Sequence, residues 1–267
     1  MLAFVFAGLT SRRGLLSSPP CDEVVESFYK NIFSKIKQDF HVYIVGDTDC
    51  NELACAYFGK DRVIQCLNVP TTDNLNNYAS ISKPGTEWQE YINNVGFTNS
   101  TLKMSKVKLT RDYSCVIQIR HDLILYESFE PYITKFIENE HVHFASLYSN
   151  WIFMGKQDIM EYLLNTYNRP INNIKIDDIP FKTTGILDKK DLIEWAANRE
   201  LSSNTHEILF SNRILQYFIE KEINIDGKVF HICVDFGRPY DASHHEPYFL
   251  VLKNSSKNYS EYDLLNN

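Results

Sequence analysis

The apolar residues of the chain fall into short runs separated by stretches of helical period, and the alternation of the two sets the fold class. Leu2 to Leu9 is an almost unbroken apolar run, His41 to Val45 is a second, and Lys60 to Val69 contains a third. Each has the length of a strand. Between the first two, Val25, Phe28, Ile32 and Ile36 recur at helical spacing. Ahead of them Ser18 reads as an N-cap and Pro19 as the first helical position, with Asp22 and Glu23 toward the positive end of the helix dipole. Between the second and third runs, Asp49 and Glu52 have the spacing of a capping box for a helix ending at Phe58. The succession β-α-β-α-β predicts a parallel sheet with right-handed crossovers.

The stretch from Tyr113 to Tyr126 reads as a central strand, because Val116, Ile117 and Ile119 are β-branched in a run apolar enough to be covered on both faces. It brings Arg120, His121 and Asp122 to one point. Before it, residues 70 to 85 form a polar loop, Trp88, Tyr91, Ile92 and Val95 make a helical stripe, and 99 to 112 predict a second helix. Lys103, Lys106 and Lys108 are assigned to the wet face of that helix. After it come a helix over Glu130 to Ile137, a strand over His141 to Leu147, and a helix carrying Ile159, Tyr162 and Leu163. The irregular segment 168 to 190 suits a lid or a domain edge. Thr205-His-Glu207 caps a further helix, Phe230 to Phe236 alternates as a late strand, and the tail from Asn254 is polar.

Ligands of open α/β sheets bind outside the carboxyl ends of the strands. Arg120 and Asp122 at such an end suit a phosphate and its metal, although a buried Arg–Asp pair that ties the strand down explains them equally well. Arg12 and Arg13, in the turn after the first strand, face the same choice between a phosphate site and a solvated basic turn. Asp47, after the second strand, is a candidate ligand for a cation or a nucleotide. His141 and His143 would share one face of a strand, but no third metal ligand accompanies them. Trp151 and Phe153 lie beside Gly155, where an aromatic ring suits either a sugar or the core.

Composition narrows the field. A formal charge of −7 and a pI near 5.6 give no general attraction to nucleic acid or to acidic membranes, so an anionic ligand must be held by a few local cations. The six cysteines form no CxxC pair, which points to a reducing, cytoplasmic setting without a zinc site. The opening apolar run lacks a basic leader and reads as a core strand, and no segment has the length of a membrane span.

Taken together, Asp112-Tyr-Ser-Cys-Val-Ile-Gln-Ile-Arg-His-Asp-Leu-Ile-Leu125, then Asn150-Trp-Ile-Phe-Met-Gly155 ahead of a helix, then His206-Glu-Ile-Leu209 opening a later one, resemble the WavE-type lipopolysaccharide glycosyltransferases and similar enzymes of large DNA viruses. The similarity spans roughly residues 2 to 222, and its most specific part is the Arg-x-Asp strand end. It implies a GT-A-like α/β fold, a Rossmann-related and mostly parallel sheet flanked by helices. The implied domain covers residues 1–253, with a nucleotide-sugar-binding half, 1–126, an acceptor-side half, 127–253, and a flexible tail, 254–267. The implied activity is transfer of a sugar from a nucleoside diphosphate sugar to a glycan or other hydroxyl acceptor, in host cytoplasm if the protein is viral.

Carried over by position, Asp122 matches the acidic residue that meets metal and diphosphate, Arg120 its basic companion, and Glu207 an acidic position read as the base. Arg12, Arg13, Asp47, Asn150 and Trp151 complete the expected nucleotide-sugar site, with Mn²⁺ or Mg²⁺ as the expected metal. Asn150 stands where the family's motif commonly begins with Asp, and the strand end lacks a full Asp-x-Asp. Two alternatives follow: a degenerate nucleotide-sugar-binding protein, and a sugar nucleotidyltransferase, for which the turn after the first strand has few glycines.

Overall fold

In strand β1, Leu2–Ala7, side chains alternate between two faces, and both faces are buried. Leu2, Phe4 and Phe6 enter one apolar layer, while Ala3, Val5 and Ala7 enter the other. A strand covered on both sides has to lie inside a sheet with helices above and below. The computed structural model describes residues 1–71, 99–125, 128–138, 142–147, 152–168, 217, 229–232 and 248–250.

Seven strands form one sheet in the order β3-β2-β1-β4-β7-β6-β8: β2 is Phe40–Gly46, β3 Val63–Asn68, β4 Cys115–Ile119, β6 Val142–Leu147, β7 Ile152–Gly155 and β8 Val229–Ile232. Strands β1 to β4 are mutually parallel. β7 is antiparallel to both β4 and β6, and β8 is parallel to β6, so β7 alone runs against the rest of this sheet. The expected α/β class with a mostly parallel sheet is met, and strands from both expected halves of the chain join the same sheet. Strand β5, Leu123–Leu125, leaves it to pair with β9, Tyr248–Leu250.

The larger side chains of β1 face helices α1, Asp22–Phe28, α2, Asn51–Phe58, and α4, Glu130–Glu138. A π-helical turn, Tyr29–Phe33, prolongs α1 and adds Phe33 to a ring cluster with Phe4, Phe28, Phe40 and Phe58, at centroid separations from 4.9 to 6.3 Å. The opposite face is covered by α3, residues 99–104, and α5, Gln157–Leu164, through Met104, Ile159, Met160 and Leu163. No described helix is long and apolar enough to cross a membrane.

Four local expectations are corrected. Helix α1 starts at Asp22 with Cys21 as N-cap, not at Ser18, because Pro20 disfavours helical backbone at Pro19 and Ser17 instead holds the turn through Gly14 and Pro19. Cys50, not Asp49, is the N-cap of α2, although Asp49 Oδ1 accepts the Asn51 N–H at 3.1 Å. The helix expected over 99–112 ends after 104, where Gln65 captures the backbone of Lys106 and Lys108. The central strand breaks at Arg120, His121 and Asp122, which form a turn between β4 and β5. The expected helix at Trp88, the segment after Asn168 and the tail lie outside the described residues.

Candidate functional site

From β1 the chain passes to β2 and β3 on one side and later returns to β4 on the other, so the winding reverses between β1 and β4. The carboxyl ends of these parallel strands share one edge, and such a reversal opens a crevice there. Gly8, the first residue after β1, fits this: among the described residues, a β-carbon built on it meets nothing within 4 Å.

The loop after β1 is sewn to both neighbours. Toward β2, the Thr10 hydroxyl bonds Asp47 Oδ1 at 3.2 Å and accepts the N–H groups of Asp47 and Thr48 at 3.2 and 3.1 Å. Ser11 donates its N–H to Asp47 Oδ1 at 2.9 Å and its hydroxyl to Oδ2 at 2.6 Å, and Thr71 adds a bond to Oδ2 at 3.3 Å. Gly46 makes this approach possible, since a β-carbon there would lie 2.2 Å from Thr10 Oγ1. Burial favours the neutral form of Asp47, but the Ser11 bonds outweigh it and hold the carboxyl below the ordinary Asp range.

Toward β4, the loop wraps His121. Its Nε2 lies 2.8 Å from the Leu9 carbonyl, its Nδ1 lies 3.5 Å from the Leu16 N–H, and its own carbonyl accepts the Leu15 N–H at 2.8 Å. These partners assign the neutral tautomer with the proton on Nε2, because Nδ1 must accept. Burial lowers the His121 pKa, against the opposing pull of Asp122. Gly14 completes the wrap, since a β-carbon on it would fall 2.6 Å from His121 Nδ1.

Arg120 and Asp122 pair with each other across the turn. Arg120 donates from Nε at 2.9 Å and from Nη2 at 2.6 Å to the two carboxylate oxygens, and Arg12 Nη1 stands 3.9 Å from Oδ2. The Asp122 side chain is 6% exposed against 45% for Arg12. Burial alone would raise the Asp122 pKa, and the Arg120 charge and hydrogen bonds turn the net shift downward. The expected ion pair is therefore present: it spans the turn between β4 and β5, and Asp122 also faces Arg12 of the loop after β1.

Arg12, Arg13, Asp47, Arg120 and Asp122 thus come from the loops of one sheet edge, with Arg13 exposed. Asn150, Trp151 and Glu207 lie outside the described residues, though Ile152, which opens β7, pairs with Ile119 at the end of β4. Phe153 is buried core, stacked on Phe144 at 6.0 Å, and does not offer a sugar platform. His141 lies outside the described residues, and His143 is half-buried in β6.

Two features escape sequence pattern. Thr10 and Ser11 read only as turn residues, and their partner is 36 or 37 positions away. Lys103, assigned to a wet face, is 0% exposed. A lysine in this helical stretch carries no sequence signal of burial, which depends on what the helix packs against. A divalent metal fits poorly with the described groups. No cluster of three or more His, Cys, Asp or Glu side chains that could hold a metal occurs among them, and Asp122 is flanked by two guanidinium groups. That charge balance suits an anion. Comparisons with known protein families, with curated proteins and with solved structures find no match for this chain.

Proposed function

We propose that the protein is a glycosyltransferase that binds a nucleoside diphosphate sugar in the crevice at the carboxyl ends of β1, β2 and β4 and transfers the sugar to a hydroxyl acceptor. The observation that carries this is the convergence of Arg12, Arg13, Arg120, Asp47 and Asp122 on loops at the reversal point of a mostly parallel sheet. The GT-A-like expectation agrees with this arrangement, and the resemblance of the Arg120-His-Asp122 turn to the WavE-type enzymes supplies the substrate class.

In the transfer, the acceptor oxygen forms a bond to the anomeric carbon while the bond from that carbon to the diphosphate breaks. The electron pair leaves with the diphosphate. Arg12 and Arg13, the cations most open to solvent, are assigned to that developing charge, because fixed cations aimed at a leaving group lower the barrier most. Arg120 with Asp122 fixes the floor of the crevice. The proton of the acceptor goes to a base, for which Glu207, matched by the resemblance to an acidic position, is our assignment.

The test is calorimetry and thermal denaturation with UDP, GDP, CDP, ADP and dTDP at millimolar concentration, with and without Mn²⁺, followed by assay of sugar release from the corresponding donors. A nucleotide at a hundred times its Kd stabilises by about 2.7 kcal/mol, which raises Tm by about 5–10 °C in a chain of this size. A flat response to all five nucleotides would overturn the proposal. Binding without turnover would favour the second reading, a nucleotide-sugar-binding protein, for which Asn150 in place of the family's Asp is the motive.

A further inference from the structure

Lys103 has the one described ammonium group that is buried without a hydrogen-bond partner. Its helix, α3, is pinned over the sheet from both ends of the segment that follows. Met104 sits in the apolar layer with Tyr43 and Val5, Gln65 holds Lys106 and Lys108, and the Thr110 N–H bonds the Tyr43 hydroxyl at 3.1 Å. The side chain therefore cannot be released to water by unwinding a frayed end. The charge it feels most among its neighbours is Asp47, but that carboxylate directs its oxygens to Thr10, Ser11 and Thr71.

A desolvated cation with no donor–acceptor bond is destabilising, and native chains keep such groups where a ligand completes them. Asp47 directly follows β2 at this edge of the sheet and is partly exposed. Lysine has a flexible four-carbon stem with three donors at its tip, which suits it to meet a ligand that arrives beside Asp47. The cations already assigned to the crevice are either exposed, as Arg12 and Arg13 are, or engaged with a carboxylate, as Arg120 is. Lys103 is neither.

We propose that Lys103 is a donor-binding residue of this site, and that its ammonium meets a phosphoryl oxygen of the nucleoside diphosphate. This rests on the nucleotide-binding reading above and adds to it the residue that supplies the buried charge. A charge-assisted hydrogen bond to phosphate in a dry setting changes affinity by about 10- to 100-fold.

The experiment compares wild type with K103M and K103Q by calorimetry and thermal denaturation. The ligands are the nucleoside diphosphate that wild type binds and the matching nucleoside without phosphate. Both variants should bind the diphosphate about 10- to 100-fold more weakly and the nucleoside with unchanged affinity. Their ligand-free Tm should equal or exceed that of wild type, because removing an unpaired buried charge relieves a cost. Loss of a ligating lysine lowers affinity without lowering stability, and loss of a structural lysine does the reverse.

Several results would overturn the assignment. One is a variant that binds the diphosphate like wild type. Another is K103M or K103Q failing to fold or melting well below wild type, since the ammonium would then be supporting the fold. Equal weakening for nucleoside and diphosphate would move the contact to base or ribose. Wild type binding none of the nucleotides would remove the parent reading along with this one, and only that outcome touches the parent.

Discussion

Arg120 and Asp122 offer the sharpest quantitative check on how the crevice is built. Asp122→Asn removes the carboxylate that Arg120 holds through two bonds, and Arg120→Gln leaves a carboxylate that is 6% exposed with Arg12 at 3.9 Å. Breaking a buried pair from one side costs about 3–5 kcal/mol. Arg120 keeps 23% side-chain exposure and can turn to water, so Asp122→Asn should fall at about 2–3 kcal/mol. That corresponds to a Tm lower by about 4–12 °C. The double variant removes both charges together and should cost little more than either single change, giving a coupling of at least about 1.5 kcal/mol. Urea denaturation of the four proteins at neutral pH measures it, with unchanged m values as the check that the same transition is being compared. Additivity within about 0.5 kcal/mol would refute the view that this turn is closed by its own ion pair. Asp122 would then be a residue kept for the ligand alone, and its substitution should abolish nucleotide binding at no cost in stability.

Two more predictions follow from the same loops. The folded pKa of His121 is lowered from 6.5, so the unfolded chain takes the proton first: stability is complete above about pH 6.5 and declines as pH falls toward the folded value, by up to about 1.4 kcal/mol per pH unit. His121→Gln should flatten that decline in denaturation experiments between pH 7.5 and 5, and an unchanged slope would show that the loop does not clamp a neutral imidazole. Gly46→Ala forces a contact on Thr10 and should cost about 1–3 kcal/mol, whereas Gly8→Ala enters open space and should change stability by no more than about 0.5 kcal/mol. Equal losses in the two alanine variants would contradict the close seam between the β1 and β2 loops.

The alternation of apolar runs and helical stripes made the parallel half of the sheet legible, because β1, β2 and β4 are buried on both faces and could hardly be anything but central strands. The antiparallel placement of β7 was not legible. Ile152-Phe-Met-Gly155 carries no directional signal, and its pairing with β4 and β6 is set by tertiary packing. At the site, the charged residues announced themselves by standing at strand ends. Their partners did not: Asp47 is satisfied by hydroxyls from the first loop, and His121 by backbone groups more than a hundred positions away. Lys103 went unread for a related reason, since whether a lysine is buried depends on what helix α3 lies against.

On the proposed reading the described edge of the sheet binds the donor, yet it is poorly equipped to take a proton. A general base needs an acceptor within reach of the substrate hydroxyl and a pKa near the working pH. Asp47 already accepts from Thr10, Ser11 and Thr71, and Asp122 accepts from Arg120 through both oxygens. Both carboxyls are shifted below the ordinary Asp range, so each holds a proton more weakly than a free aspartate would. The neutral imidazole of His121 has its accepting nitrogen turned to the Leu16 N–H. On the proposed reading, binding and proton transfer therefore separate onto different parts of the chain: substitutions at Arg12, Arg120 or Asp122 should lower donor affinity, the latter two with a cost in stability as well, while deprotonation of the acceptor falls to groups beyond this edge, with Glu207 the assigned residue. On that division Glu207→Gln should leave nucleotide affinity intact while turnover falls, whereas a base drawn from Asp47 or Asp122 would require one of their hydrogen-bonded sets to open first.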